Sequence, residues 1–177
     1  DIHTLNQKSA GLESRDQAKT FIYALIYGAG DAKLGRVVGG NQKDGKRLRE
    51  QFFDSNPSFK SLRDKVQRAS AKNYLKGLDG RKLLIGTQHA ALNTLLQGGG
   101  AIVMKRGLVM LDSVIKLNTL DAKFVANIHD EWQMEVREDL ADFVGELAVN
   151  CIIKAGEYYN LRCPMDGEYK IGENWSE

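Results

Sequence analysis

The sequence predicts a mainly helical α+β fold, and three observations carry that reading. Apolar residues recur at helical spacing over most of the chain. Two stretches, 74–86 and 123–137, instead pair apolar residues about a tight turn, as hairpins do. Glycine clusters and the Asn56-Pro57 pair fall between these segments, where helices stop and start. At 177 residues and 42% hydrophobic, the chain can bury one sizeable core or two small lobes sharing a hinge.

Thr4 to Leu12 has helical character. The next segment, 14–28, is the most informative. Arg15, Lys19, Tyr23 and Tyr27 recur every fourth residue and so fall within roughly 120° of one helix face. Ala18, Phe21, Ile22, Leu25 and Ile26 fill the neighbouring arc and make a core face. Ser14 is placed to cap the start, and Gly28 to end the helix in a left-handed conformation. Two spaced cations can hold a polyphosphate, and a phenol further along can cover a sugar and base. A solvated face with two half-buried tyrosines has the same periodicity.

Basic helices are expected across 31–73, broken at Gly39-Gly40-Asn41 and at Asn56-Pro57. The hairpin at 74–86 turns at Asp79-Gly80. A long helix over 88–116 contains Gly98-Gly99-Gly100, each glycine costing roughly 0.5–1 kcal/mol against alanine. Such a weak spot predicts close backbone packing or a bend. Asn93 and Gln97 lie one turn apart on this helix. Their amides suit minor-groove acceptors, whose positions report base-pair geometry more than sequence.

The 123–137 stretch reads as two strands joined at His129-Asp130-Glu131. Adjacent acids in a tight turn between apolar strands are costly unless solvated or paired with a cation, and a hard divalent ion such as Mg²⁺ would satisfy them. A covering amphipathic helix over 139–159 and a last strand within 161–169 complete the expected elements.

Charge is unevenly placed. Residues 33–82 hold fourteen Lys/Arg against five acids, a net of +9, and residues 120–177 hold five against thirteen, a net of −8. The basic block fits a phosphate backbone as well as it fits ordinary solvated helix faces. Cys151 and Cys163 make no disulfide framework and, with three scattered histidines, no zinc-ligand spacing. Reduced thiols, no signal-like start and no apolar run of membrane-spanning length point to a cytoplasmic protein without a membrane partner.

Arg15-x-x-x-Lys19-x-x-x-Tyr23-x-x-x-Tyr27-Gly28 resembles the fingers-helix motif of family A DNA polymerases, the group of bacterial repair and phage replicative polymerases. Asn93-Thr94-Leu95-Leu96-Gln97-Gly98 and Ile128-His129-Asp130-Glu131 are similar to its primer–template contact and its palm metal hairpin, and Leu78-Asp79-Gly80-Arg81 and Gly172-Glu173-Asn174-Trp175 also resemble family segments. The resemblance implies fingers over 1–86 and a partial palm over 87–177. It implies template-directed DNA synthesis, with primer–template DNA and deoxynucleoside triphosphates as partners and two Mg²⁺ as cofactor. His3, Arg15 and Lys19 would meet the triphosphate, and Tyr23 would stack beside the sugar. Tyr27 and Gly28 would border the templating base, with Asn93, Gln97 and His129 on primer–template. Asp130 would be the metal ligand and Glu131 an accessory carboxylate of the catalytic pair. His89 stands where many relatives carry arginine.

The first palm strand of the family, with its own aspartate, has no counterpart within 1–177, and Asp1 and Glu13 lie outside any strand pattern. The expectation is a polymerase portion that is inactive alone without this aspartate. The alternative is a non-catalytic fragment that binds DNA or nucleotide, or a split-polymerase subunit that needs a complementary polymerase chain as partner.

Overall fold

The computed structural model describes residues 2–175; Asp1 lies outside them. Among these residues the chain forms α1 (Ile2–Ala10), α2 (Arg15–Ile26), α3 (Asp31–Val37), α4 (Gln42–Ser55) and α5 (Pro57–Ala69). The hairpin β1 (Tyr74–Lys76) and β2 (Lys82–Leu84) follows, then α6 (Ala91–Leu117). A second hairpin, β3 (Ala122–Ile128) and β4 (Glu131–Val136), precedes α7 (Ala141–Tyr158). Both sheets are two-stranded and antiparallel, so the expected α+β, mainly helical class is the observed one. Among the described residues no helix is long and apolar enough to cross a membrane.

The chain divides into two compact units. The first comprises 1–76 and 81–96, and the second 77–80 and 97–177, so one boundary falls inside α6, between Leu96 and Gln97. The first turn of α6 sides with the first unit because Ala91 and Leu92 bury against Val66, Leu75 and Ile85.

In the first unit, α1 to α4 enclose Ala10, Ala18, Phe21, Leu25, Leu34, Leu48, Phe52 and Phe53. Phe52 meets Phe21 and Phe59 edge to face, at centroid distances of 6.1 and 5.7 Å, a geometry that aromatic quadrupoles favour. Helices α3 and α4 approach through two glycines. A Cβ at Gly35 would sit 1.9 Å from the Asn41 carbonyl oxygen, and one at Gly45 would sit 1.9 Å from that of Asp31. Asn41 and Asp44 close a capping box at the start of α4.

In the second unit, α6, α7 and the β3–β4 hairpin bury Leu111, Ile115, Ala122, Val144 and Cys151, with Phe124 and Trp132 packed against them. Gly107 leaves room for the Trp132 ring, which a Cβ would approach to 2.9 Å. The register runs from Ala122↔Val136 to Ile128↔Glu131 and shifts by one residue between Phe124 and Ala126, which leaves Val125 unpaired and exposed. This is a β-bulge, the device that bends a strand and re-aims its side chains.

One expectation needs correction. Residues 161–175 form no strand. Residues 161–169 run back along α7, with Met165 at Gly156 and Tyr169 at Gly145, so their apolar alternation is met by a helix groove and not by a neighbouring strand. Gly98-Gly99-Gly100 lies within uninterrupted helix. A Cβ at Gly99 would make only ordinary contact with Leu78 at 3.8 Å, and one at Gly100 would meet nothing within 4 Å, so close packing does not explain these two glycines.

Candidate functional site

In the first unit the site is built on α2. The Ser14 hydroxyl accepts the Gln17 backbone N–H at 3.2 Å and caps the helix. At the other end the Gly28 N–H reaches the Leu25 carbonyl and the Ala29 N–H that of Ala24, at 3.1 and 2.9 Å. This bond pair is a Schellman motif, with Gly28 left-handed at φ +78°. The helix is fixed at both ends.

Its buried side holds Ala18, Phe21 and Leu25, and Arg15, Lys19, Tyr23 and Tyr27 are all exposed. Helix α1 packs on α2 and brings the His3 ring to a centroid distance of 6.3 Å from Tyr23, tilted by 49°. The structure therefore groups His3 with the outward row. This row disfavours helix stability in two ways. Arg15 is the first helical residue, at the positive end of the macrodipole, and Arg15 and Lys19 repel each other at one-turn spacing. An anion bound there would relieve both terms, and among the described residues Lys19 has no ion-pair partner.

Gly28 ties this row to the start of α6. A Cβ at Gly28 would sit 2.1 Å from the His89 carbonyl oxygen, so only glycine permits the approach. Asn93 follows one turn later. Among the described residues its buried amide oxygen meets no hydrogen-bond donor, whereas buried polar atoms are ordinarily paired. Gln97 lies a further turn along the same helix and is exposed.

In the second unit, His129 and Asp130 form the two-residue turn between β3 and β4, and both are exposed, as is Glu131. His129 holds φ +55°, a left-handed conformation that a non-glycine residue adopts at some cost and that often marks functional turns. Oε1 of Glu131 accepts from the Gln133 side-chain amide and, at 3.2 Å, from the Trp175 indole N–H. Among the described residues no group of three or more His, Cys, Asp or Glu assembles to hold a metal. The turn offers two adjacent carboxylates.

The sequence did not signal the bond from Trp175 to Glu131, which joins residues 44 positions apart. Nor did it signal the buried Trp132 indole N–H, which finds no acceptor among the described residues. The sequence signals at this place were the His129-Asp130-Glu131 turn and the hairpin pattern around it.

A family model for DNA polymerase family A matches residues 1–177. The chain belongs to DNA polymerase family A. It is 44% identical over 182 residues to the DNA-directed DNA polymerase of Escherichia phage Phieco32, a match covering 99% of this chain and 30% of that protein. It is 38% identical over 198 residues to that of Escherichia phage T7, covering 99% and 28%. This family A chain thus spans under a third of the length of these relatives. Among solved structures, the POL domain of Pol1 from M. smegmatis, in complex with DNA primer-template and dNTP, superposes with a TM-score of 0.79. That match covers 96% of this chain and 32% of the other, at 22% identity, and the likeness is one of fold.

Proposed function

We propose that this chain is the fingers (1–86) and part of the palm (87–177) of a DNA polymerase that transfers deoxynucleotides to a primer 3′ hydroxyl under template direction, in the cytoplasm of a bacterial or phage-infected cell. The observation that carries the proposal is the outward row of α2, two cations and then two phenols on a helix fixed by Ser14 and Gly28, within a chain of this family. Arg15 and Lys19 hold the triphosphate through charge-assisted hydrogen bonds, with His3 as a further contact. Tyr23 stacks beside the sugar, and Tyr27 and Gly28 border the templating base. Asn93 and Gln97 contact the primer–template through base-pair acceptors, and His129 lies near the primer end.

The acidic turn fits a divalent ion in part. Mg²⁺ takes one or two protein carboxylates and completes its shell with water and substrate phosphates, and Asp130 with Glu131 supply that number. Asp130 would be the ligand and Glu131 the accessory acid. When bound, two such ions stabilise the entering and leaving oxygens of an in-line displacement. The cationic row takes up the charge of the triphosphate, which fixes the nucleotide before reaction.

The test joins this chain to a complementary palm and thumb and replaces Lys19 by alanine. Loss of one charge-assisted contact, about 1.5–3 kcal/mol, lowers deoxynucleotide affinity roughly tenfold or more. Unaltered affinity refutes the grip.

A second reading is a nucleotide- and DNA-binding subunit that reacts only with a complementary chain. Asp130 and Glu131 suffice for one ion, and among the described residues no third His, Cys, Asp or Glu gathers there for the second, which favours this reading. Primer extension by the isolated chain with Mg²⁺ separates the readings: sustained synthesis excludes the second.

A further inference from the structure

We propose that the segment after α7 is a strap that positions the acidic turn, and that Trp175 is the positioning residue through which it acts; the catalytic meaning of this rests on the polymerase reading above. The path of the strap is set by small residues on α7. Met165 lies against Gly156, where a Cβ would come within 2.4 Å of its Cγ. Gly167 passes Ile152 and Val149, and the Tyr169 ring covers Gly145, where a Cβ would again come within 2.4 Å. The Tyr169 hydroxyl donates to Asp142 Oδ1 at 3.2 Å. Strap residues 165, 167 and 169 thus meet helix residues 156, 152 and 145 in reverse order. Side chains in a groove fix this register without a strand ladder.

Beyond Tyr169 the strap leaves the start of α7 and delivers Trp175 to Glu131. Trp175 is 61% exposed, and its indole N–H bond to Glu131 is the directional contact at this end of the strap. Both donors to Glu131, the Trp175 indole and the Gln133 amide, land on Oε1, which leaves Oε2 for an incoming group. Both donors are also neutral. A lysine or arginine in either place would offset the carboxylate charge, whereas an indole or amide selects one rotamer of an exposed glutamate and keeps its charge intact. The result is a carboxylate oriented in advance beside Asp130, as a cation or a cation-bound phosphate requires.

The experiment uses the 177-residue chain, with Mn²⁺ as the probe. Trp175→Phe keeps the ring and removes the donor, at an exposed position where folding is not threatened. In ¹H–¹⁵N spectra, Mn²⁺ broadens the Asp130 and Glu131 amides of the unaltered chain, and Trp175→Phe raises the midpoint about three- to tenfold, the loss expected for one hydrogen bond. In a Glu131→Ala background Trp175→Phe has no further effect, because the residue acts through Glu131. An unchanged midpoint, or an equal shift in the Glu131→Ala background, overturns the proposal. The Trp175 indole resonance is a second readout that does not depend on metal. It shifts in Glu131→Ala if the bond exists, and an unmoved resonance also overturns the strap. If the unaltered chain shows no Mn²⁺ broadening at the turn, the metal assignment of the proposed function fails, and the indole resonance alone then decides the strap.

Discussion

Gly28 is held by two independent constraints, a left-handed φ of +78° and a backbone approach to His89 that leaves no room for a Cβ. That conformation costs an L-residue about 1–2 kcal/mol, and displacing the His89 backbone adds a cost of the kind seen on overpacking, about 1–3 kcal/mol. Gly28→Ala is therefore expected to destabilise the chain by about 3 kcal/mol, read as a lower urea midpoint at unchanged slope. Gly86 supplies the control. It has neither positive φ nor a heavy atom within 4 Å of an added Cβ, so Gly86→Ala should shift stability by no more than about 0.5 kcal/mol. Equal effects at the two positions would remove the structural reason for a glycine after Tyr27. His129 is the opposite case, a left-handed residue with a side chain. Glycine would be easier there, so the imidazole at the turn is kept against a local conformational preference.

At the scale of elements, the strap carries a pH dependence of its own. Desolvation pushes the Tyr169 phenol above its ordinary value of 10.0, and the neighbouring Asp142 charge, the hydrogen bond to Asp142 and the Glu146 charge push it the same way. The folded state thus prefers the neutral phenol. With a raised folded value, this contribution is complete below the ordinary phenol range and is lost as pH climbs through the raised value. The urea midpoint of the unaltered chain should fall over that alkaline range, and Tyr169→Phe should remove the Tyr169 share of the fall. Parallel curves for the two proteins would mean that the strap is not held by this hydroxyl. Helix α2 and the β3–β4 turn are legible in the sequence because each is specified locally, by period, cap and turn chemistry. Residues 161–169 mislead because a strand and a groove-bound strap share a period-two pattern, and the distinction lies in the small residues Gly145 and Gly156, far along the chain. The bulge at Val125 and the Gly107 notch under Trp132 are hidden for the same reason. Each depends on a partner that no local window contains.

For the whole chain, charge separates what packing leaves equal. Each unit has its own core, but the +9 block at 33–82 lies mainly in the first and the −8 block at 120–177 in the second. Phosphate backbone is attracted to the first block and repelled by the second, so binding without sequence preference should reside in the basic helices. Within that block some cations are already engaged: Arg49 pairs with Asp31 at 2.6 Å and Arg63 with Asp64 at 2.7 Å. Lys65, Arg68 and Lys72 are exposed at three- and four-residue spacing along the end of α5 and the turn that follows. They are the better candidates for phosphate. Each phosphate contact contributes roughly 0.7–0.9 to the slope of log affinity against log salt. Replacing all three by glutamine is therefore expected to flatten that slope by about two and to weaken duplex binding most at low salt. The substitutions lie outside every core cluster, so the urea midpoint should hold, which keeps a binding defect distinct from unfolding. An unchanged slope with weaker binding would mean that these side chains act without neutralising phosphate. An unchanged slope with unchanged affinity would return this part of the basic block to the status of solvated helix surface.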